Sequence, residues 1–308
     1  MRVVVLGAAA GGGVPQWNCN CPICRTARDE LPELRATQAS IAVSADGNDW
    51  FLVNASPDLR QQVIGTPQLH PKADQLRHSP IAGVILTNGE VDAVAGLLSL
   101  REGWSFSIYA HQRVLDILKS NSIFNVLDEK RVRREPIEFG RPFEPKLADG
   151  TPSGLELLPF AVPGKRAWYL ENETDAGPGD ESGDTLGLRI ADKRSGEHLY
   201  FLAACAAFTP DLRQRLQGAP LVFFDGTLWR DDELIAAGLG TKTGQRMGHM
   251  AMSGPDGAMA ALADLGIGRK IFLHINNSNP VLLPDSEERH AAERAGWQIP
   301  FDGMEITI

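Results

Sequence analysis

The sequence lacks the features of membrane, secreted and nucleic-acid-binding proteins. No apolar run approaches the roughly 18 residues of a membrane-spanning helix, and the run Val3–Leu6 meets glycine too soon to be a secretory signal. The 30 Lys and Arg residues are outnumbered by 39 Asp and Glu, which gives a formal net charge of −9. Nucleic acid and anionic membranes both require a basic face. We therefore expect neither of them as a partner.

Cysteine is scarce, and four residues in 308 are too few for a disulfide scaffold. Three of the four lie within six residues, at Cys19, Cys21 and Cys24. Zinc binds thiolates tetrahedrally, so this spacing predicts a structural zinc ion in a reducing compartment, the cytoplasm. The fourth ligand must come from elsewhere, and Asn277 or His274 is our candidate. Cys205 lies in an apolar segment and is interpreted as a small buried hydrophobe.

Short β-branched runs and helical segments occur in both halves of the chain. Gln38–Val43 and Trp50–Asn54 are predicted strands paired across the turn Asp46-Gly47-Asn48. Ser56 is expected to cap a helix over Pro57–Val63. Two strand-rich halves, each with helices after its strands, predict two sheets packed face to face in one α/β (α+β) domain over residues 1–308. Further strands are predicted at Arg2–Leu6, Ile137–Phe139, Leu155–Phe160, Thr185–Ile190, Leu199–Ala203, Leu221–Asp225 and Met304–Ile308, and further helices at Pro210–Leu216, Gly257–Leu265 and Pro284–Gly296.

Acidic residues follow the predicted strand Ile81–Thr87. Glu90 and Asp92 precede a predicted helix over Asp92–Arg101, where carboxylates can simply complement the helix dipole. His274 ends another apolar strand, where histidine is commonly a hydrogen-bonded core residue. If the two strand ends meet, Asp92 and His274 could instead complete a metal site.

Two glycine-containing segments invite functional readings. Gly7–Gly13 follows a strand but leads into Pro15 and the cysteines instead of a helix, so we reject a dinucleotide-binding loop and expect no nucleotide cofactor. The segment Glu171–Asp184 is acidic and has no apolar anchor. Such a segment buries too little surface to offset its ordering entropy, which predicts a mobile surface loop beside the active cleft.

Five motifs spread along the chain form a recognisable set. They are Gly11-Gly12-Gly13-Val14-Pro15-Gln16-Trp17-Asn18-Cys19-Asn20-Cys21, Asn54-Ala55-Ser56-Pro57-Asp58, Gly96-Leu97-Leu98-Ser99-Leu100-Arg101-Glu102-Gly103, Asp225-Gly226-Thr227-Leu228-Trp229 and His274-Ile275-Asn276-Asn277. Together they resemble, from end to end of the chain, the B proteins of pyrroloquinoline quinone (PQQ) biosynthesis. That family belongs to the metallo-β-lactamase superfamily, and the resemblance implies its αββα four-layer sandwich.

The resemblance also implies a depleted metal centre. The superfamily motif His-x-His-x-Asp-His falls on Asn88, Glu90, Asp92 and Ala93, so only the aspartate is kept. The superfamily's bridging aspartate, expected near Ala203-Ala204, is missing. A two-zinc hydrolase needs about six or seven protein ligands, which makes binuclear hydrolysis a poor expectation. The family usually has histidine where this chain has Ala93, and that departure weakens the expected site.

What remains suits one weakly held metal. We expect Glu90, Asp92 and His274 to bind a catalytic iron(II), with His249 as a hydrogen-bond donor or proton shuttle beside it. A carboxylate-rich mononuclear site with open positions is typical of non-haem iron and oxygen chemistry. The resemblance implies an iron-dependent oxygenase that hydroxylates the tyrosine ring of a crosslinked Glu–Tyr precursor of PQQ.

Two other functions stay open. A carrier for PQQ or its precursor would need a basic pocket, for which Arg101, Lys242 and Arg246 are available. A divergent metal-dependent phosphodiesterase is less favoured, because the histidines are lost. The sequence does not fix the oligomeric state and leaves a homodimer open.

Overall fold

Short strands form two mixed sheets in the computed structural model, which describes residues 1–170 and 184–308. The strands are β1 (Arg2–Gly7), β2 (Ser40–Ser44), β3 (Trp50–Val53), β4 (Ile81–Leu86), β5 (Phe106–His111), β6 (Val132–Ile137), β7 (Leu155–Ala161), β8 (Leu186–Asp192), β9 (His198–Leu202), β10 (Leu221–Asp225), β11 (Arg269–Leu273), β12 (Trp297–Gln298) and β13 (Glu305–Thr307).

The first sheet has the order β13-β1-β2-β3-β4-β5-β6, and the second has the order β12-β11-β10-β9-β8-β7. Pairing is antiparallel from β13 to β3 and parallel from β3 to β6. In the second sheet, β12 to β9 are parallel, and β8 pairs antiparallel with both β9 and β7. Each sheet therefore has a block of parallel strands whose carboxyl ends share one edge.

Alternation along the strands builds three apolar layers. In β1, Val3 and Val5 belong to the core between the sheets, whereas Val4 and Leu6 pack under the helices of the first sheet. In β10, Phe223 joins the central core and Phe224 faces the helices of the second sheet. Because successive side chains of a strand point to opposite faces, strands that are apolar throughout must be covered on both sides. The αββα sandwich is thereby confirmed.

The helices cover the outer faces of the two sheets. They are α1 (Pro22–Asp29), α2 (Leu59–Gly65), α3 (Val91–Val94), α4 (Gln112–Ser120), α5 (Pro210–Leu216), α6 (Glu233–Ala236), α7 (Ala258–Ala261) and α8 (Glu287–Arg294). Short 3-10 turns lie at Pro32–Leu34, Pro67–Leu69, Ala95–Leu100, Ser122–Val126, Trp168–Leu170, Gln245–Met247 and Pro280–Leu282. None of the helices in the described part of the chain is long and apolar enough to cross a bilayer.

The prediction of an α-helix over Asp92–Arg101 is wrong, because most of this segment is a 3-10 helix. One α-helical turn, α3, is followed by a 3-10 segment over Ala95–Leu100. The backbone N–H of Gly96 donates to the carbonyl of Ala55 at 2.9 Å. A Cβ atom at position 96 would lie 2.1 Å from the carbonyl oxygen of Ser56, so only glycine allows this approach. The contact holds the chain against residues 55–56 and stops the α-helix.

Other predicted boundaries shift by a few residues. The helix expected over Pro57–Val63 is α2, which begins at Leu59, because the Ser56 hydroxyl accepts from the Asp58 N–H and donates to Gln62 instead of capping the helix. The strand expected at Ile137–Phe139 ends at Ile137, where its parallel pairing with β5 ends. The helix expected over Gly257–Leu265 is the four-residue α7, and that over Pro284–Gly296 is α8, capped by Ser286.

The acidic segment Glu171–Asp184 lies outside the described residues except for Asp184. The carboxylate of Asp184 accepts from the guanidinium of Arg113 at 2.7 Å.

Candidate functional site

The three clustered cysteines converge as their spacing predicts. Cys21 is the N-cap of α1, and its sulfur accepts from the Cys24 N–H at 3.4 Å. The Cys21 N–H in turn points to the sulfur of Cys19 at 3.4 Å. All three sulfurs lie within 4.8 Å of one another. Ligands at about 2.3 Å from a tetrahedral zinc ion are about 3.8 Å apart, so the cluster has the size that zinc requires.

Asn277 closes this cluster from the other end of the chain. It follows β11, and its carboxamide lies 3.1 Å from the sulfur of Cys19, 3.3 Å from that of Cys24 and 3.8 Å from that of Cys21. Rotating the carboxamide by half a turn would present its oxygen to an ion held by the three sulfurs. Of the two candidates for a fourth ligand, Asn277 lies at the cluster, whereas His274 faces a different site.

The thiols of this cluster are crowded. Burial, together with the sulfurs of Cys19 and Cys24, raises the pKa of Cys21 to about 11. Burial also raises the pKa of Cys205, but that thiol lies elsewhere, in the core beneath the second sheet, as expected of a small hydrophobe. A cation bound to the sulfurs of the cluster would reverse this effect, because a thiol that coordinates a metal ion loses its proton.

A second site lies where the parallel strands of both sheets end. A cavity of about 480 Å³ opens at this edge and is lined by residues that follow β3, β4, β9, β10 and β11. Two of its lining residues, Asn54 and His274, have left-handed backbones, with φ of 66° and 59°. Such strain in non-glycine residues costs roughly 1–3 kcal/mol each and clusters at functional sites. The strain thus falls on the edge of the sandwich that carries polar side chains.

His274 connects the two halves of this cavity. Its Nε2 lies 2.9 Å from Oδ2 of Asp92, which comes from the first sheet, and its Nδ1 lies 2.8 Å from the Thr227 hydroxyl, which comes from the second. Burial would raise the pKa of Asp92, but the hydrogen bond and charge of His274 outweigh it and lower that pKa. Burial likewise opposes the charge on His274, yet Asp92 raises the pKa of the imidazole.

His249 stacks on His274 and is held in the same way. The ring centroids are 5.0 Å apart with an interplanar angle of 19°. Nδ1 of His249 lies 2.7 Å from Oδ2 of Asp225 and 3.0 Å from the Thr227 hydroxyl. Asp225 is fully buried and also accepts from the backbone N–H groups of Cys205 and Thr227. The Thr227 hydroxyl therefore contacts Nδ1 of both rings, and the Asp225 carboxylate contacts Nδ1 of His249. Nε2 of each ring is left for other partners.

The Thr227 hydroxyl decides on which side of the two rings a metal can bind. Asp225, His249 and His274 offer ligand atoms within 4.8 Å of one another. The Thr227 hydroxyl, however, lies 2.7 Å from Asp225, 3.0 Å from His249 and 2.8 Å from His274. The centre of that set is already filled by an oxygen atom. Nε2 of His274 points away from that oxygen and faces Asp92.

Glu90 does not join the expected ligand set. Within the described residues, the groups of three side chains whose ligand atoms all approach within 4.8 Å are the cysteine cluster and the Asp225 set. Neither contains Glu90 or Asp92, but Asp92 contacts the imidazole of His274. One oxygen of Glu90 instead accepts from Lys165 Nζ at 3.0 Å and from the Trp168 N–H at 3.1 Å. Burial raises the pKa of Glu90 despite the nearby lysine.

The substituted superfamily positions also line the cavity. Asn88 caps the turn by accepting from the Glu90 N–H at 3.0 Å, and Ala93 is buried behind Asp92. Ala203 and Ala204 lie where the bridging aspartate was expected, and both line the cavity. No ligating side chain replaces the superfamily's at these positions.

Of the three basic residues proposed for a carrier pocket, only Lys242 lines the cavity. Arg101 pairs with the exposed Glu102, and Arg246 is exposed outside the lining. Lys165, which sequence reasoning did not single out, lines the cavity with Lys242.

Sequence reasoning also missed Asp225 and Thr227 as parts of the site. Both stand in a motif that was noted only for its resemblance. The sequence did contain a signal for Asp225. Like Asp92 and His274, it lies at or just after the end of an apolar strand. Carboxyl ends of neighbouring parallel strands meet at one edge, where ligands bind in open α/β sheets.

Known proteins match both the sequence and the fold. The model of the β-lactamase superfamily domain matches residues 49–275. Coenzyme PQQ synthesis protein B of Rhodopseudomonas palustris strain TIE-1 is 69% identical over 308 residues, covering 100% of both chains. The protein of the same name from Gluconacetobacter diazotrophicus is 57% identical over 99% of both chains. The chain belongs to the coenzyme PQQ synthesis protein B family.

Solved structures agree with this family membership. The crystal structure of Zn(2+)-bound PqqB from Methylobacterium extorquens is 48% identical and matches with a TM-score of 0.95 over 100% of both chains. A diphosphatase of the PhnP family is 20% identical, with a TM-score of 0.69, and covers 99% of this chain and 97% of its own. That second likeness concerns the fold alone. The matches to PQQ synthesis proteins B confirm the family resemblance that the motifs indicated.

Proposed function

We propose that this chain is an iron(II)-dependent oxygenase that hydroxylates the tyrosine-derived ring of the crosslinked Glu–Tyr precursor of PQQ. The observation that carries the proposal is the pair of stacked imidazoles, His249 and His274, of which His274 contacts Asp92. Two histidines and one carboxylate on one face of a metal, with positions left open, are typical of non-haem iron oxygenases. In this proposal His249 is a ligand through Nε2, which replaces the role of proton shuttle expected from the sequence.

The contact between Asp92 and His274 suits such a centre. Two ligands at right angles, each about 2.1 Å from a metal, are about 3.0 Å apart. Oδ2 of Asp92 and Nε2 of His274 are separated by 2.9 Å. Metal-ligating histidines commonly donate their other ring N–H to a carboxylate, which fixes the tautomer and the ring orientation. Asp225 has that relation to His249, at 2.7 Å.

Bound iron would supply the activation of dioxygen. Each hydroxylation places one oxygen atom on a ring carbon and releases the other as water, so an external reductant must provide two electrons. The protein's own contribution is to hold the imidazole of His249 through Asp225 and Thr227, and that of His274 through Thr227. Lys165, paired with Glu90, and Lys242 line the same cavity.

We also propose that Cys19, Cys21 and Cys24 hold a structural zinc ion with Asn277 as the fourth ligand. The convergence of three sulfurs and one carboxamide supports this assignment. The relative from Methylobacterium extorquens has been solved with Zn(2+) bound, which supports zinc as the metal. A structural zinc site needs neither a general base nor a redox-active group beside the metal.

The test is oxygen uptake by zinc-loaded protein reconstituted with iron(II), given a reductant and the crosslinked Glu–Tyr precursor. We expect uptake that depends on the precursor and yields hydroxylated ring product. Asp92→Ala should reduce this rate at least 100-fold, because it removes the only carboxylate proposed as a ligand. Binding of the precursor or of PQQ without oxygen uptake in the wild type would contradict the proposal and favour a carrier.

A further inference from the structure

The loop at Gly89 and Glu90 is fastened to a distant segment that forms part of the cavity wall. Glu90 accepts from Lys165 Nζ and from the Trp168 backbone, and the Tyr169 hydroxyl donates to the Gly89 carbonyl at 2.6 Å. Three hydrogen bonds thus join Gly89 and Glu90 to the segment Lys165–Leu170. The side chains of Lys165 and Glu90 are 17% and 22% exposed, so water screens their pairing only in part.

The backbone and the side chain of Glu90 have separate tasks. Its carbonyl accepts from the N–H groups of Ala93 and Val94 and so starts the helical turn that carries Asp92. Its carboxylate makes no cap hydrogen bond to that turn. It turns instead toward Lys165 and Trp168. One residue therefore couples the position of a proposed metal ligand to the position of the cavity wall.

The fastened segment presents an aromatic surface at the cavity mouth. Trp168 lines the cavity and is nevertheless 62% exposed. Val91, which follows Glu90, lines the same mouth and is 47% exposed. A large apolar ring held at the rim of a cavity can pack against a planar aromatic ligand, and ring pairs of this kind contribute about 0.5–1.5 kcal/mol beyond area burial.

We propose that Glu90 is a positioning residue that clamps Lys165–Leu170 across the cavity mouth, so that the Trp168 indole packs against the aromatic ring of the substrate. This inference rests on the proposed function for the aromatic nature of the substrate. It assigns Glu90 a role other than the metal ligand expected from the superfamily motif. Charge-assisted hydrogen bonds such as that between Glu90 and Lys165 are the stronger kind, which suits a clamp.

The clamp is tested first by amide hydrogen exchange on the zinc-loaded chain without iron or substrate. Glu90→Ala should speed exchange in residues 165–170 by at least about fivefold, because it removes one charge-assisted and one backbone hydrogen bond. Tyr169→Phe should have a smaller effect of the same sign. Glu138→Ala is the matched control, since Glu138 pairs with Arg141 on the exposed surface at 2.7 Å. Unchanged exchange in Glu90→Ala would overturn the clamp.

The second arm separates a clamp from a ligand. Glu90→Ala should change iron(II) affinity by less than about twofold, because no ligand is lost, whereas Asp92→Ala should lower it at least tenfold. A loss in Glu90→Ala equal to that in Asp92→Ala would make Glu90 a ligand and overturn the positioning role.

The third arm addresses the substrate. Both Glu90→Ala and Trp168→Leu should raise KM for the precursor about fivefold to tenfold with a smaller change in kcat, as expected when binding contacts are lost. Only Glu90→Ala should also alter exchange. An unchanged KM in Trp168→Leu would overturn the indole contact. An inactive wild type would contradict the proposed oxygenase, while the exchange result would still decide the clamp.

Discussion

The cysteine cluster and the histidine cavity are polar centres built in opposite ways. The cluster takes three donors from six consecutive residues and is closed by Asn277. The cavity takes Asp92 from α3 after β4, His249 from the loop after the 3-10 turn Gln245–Met247 and His274 from the end of β11, and it stays open to solvent on one side. Local spacing makes the cluster compact and closed, whereas distant strand ends make the cavity open.

Removal of one cluster sulfur should have the largest effect on stability. Cys24 is fully buried within the cluster, so Cys24→Ser should abolish zinc binding and cost about 4 kcal/mol or more, as losses of structural metals do. Cys205→Ala is the control, because Cys205 is equally buried outside both centres. Zinc content and thermal unfolding measure the effect. Full zinc occupancy in Cys24→Ser would break the assignment of a closed site.

The cavity should respond to a change behind its ligands. Asp225→Asn removes the charge that orients His249, so we expect iron(II) affinity to fall about 10–100-fold. The free energy of unfolding should fall by about 2–3 kcal/mol, because a buried acceptor of several hydrogen bonds is altered. Zinc content should stay unchanged, which sharpens the contrast between the two centres. Asp232→Asn, at an exposed ion pair with Arg230, is the control and should alter neither quantity.

A buried carboxylate outside both centres gives a smaller, pH-dependent effect. Burial raises the pKa of Asp302 to about 6, although Thr37 donates two hydrogen bonds to it. A carboxyl group whose folded pKa is raised binds its proton more tightly in the folded state, so the free energy of unfolding decreases as pH rises from about 4 to about 6.

The Asp302→Asn variant lacks this titration. Its stability relative to the wild type should therefore increase by about 2 kcal/mol between pH 4 and pH 7, a figure reduced from the full shift because Asp302 is partly exposed. Urea unfolding at both pH values measures it. An equal difference between the two proteins at pH 4 and pH 7 would contradict the raised pKa. The shift at Asp92 has the opposite sign, because the hydrogen bond and charge of His274 lower the pKa of Asp92.

The two centres also differ in how far the sequence predicts them. The cysteine cluster follows from spacing, because three donors so close along the chain can converge without knowledge of the fold. Asn277 is harder, yet its place after the last inner strand was enough to suggest it. The αββα layers follow from strands that are apolar on both faces, such as β1 and β10.

The cavity could be predicted only in part. Asp92 follows from the superfamily motif and His274 from its place at the end of an apolar strand. The same motif also led to Glu90, whose carboxylate turns away to Lys165. The roles of Asp225 and His249 depend on which strands are neighbours, and strand order is set by the packing of both sheets. The 3-10 turn after Asp92 depends on the contact of Gly96 with Ala55, which no local propensity reveals.

The central claim is that His249 and His274 are equivalent ligands of one iron(II) ion, and iron titration of the zinc-loaded protein tests it most directly. We expect one ion per chain in the wild type. His249→Ala and His274→Ala should each lower the affinity at least tenfold, since each removes one imidazole donor. An affinity unchanged in His249→Ala but lost in His274→Ala would contradict the two-histidine site and return His249 to the role of a neighbouring donor.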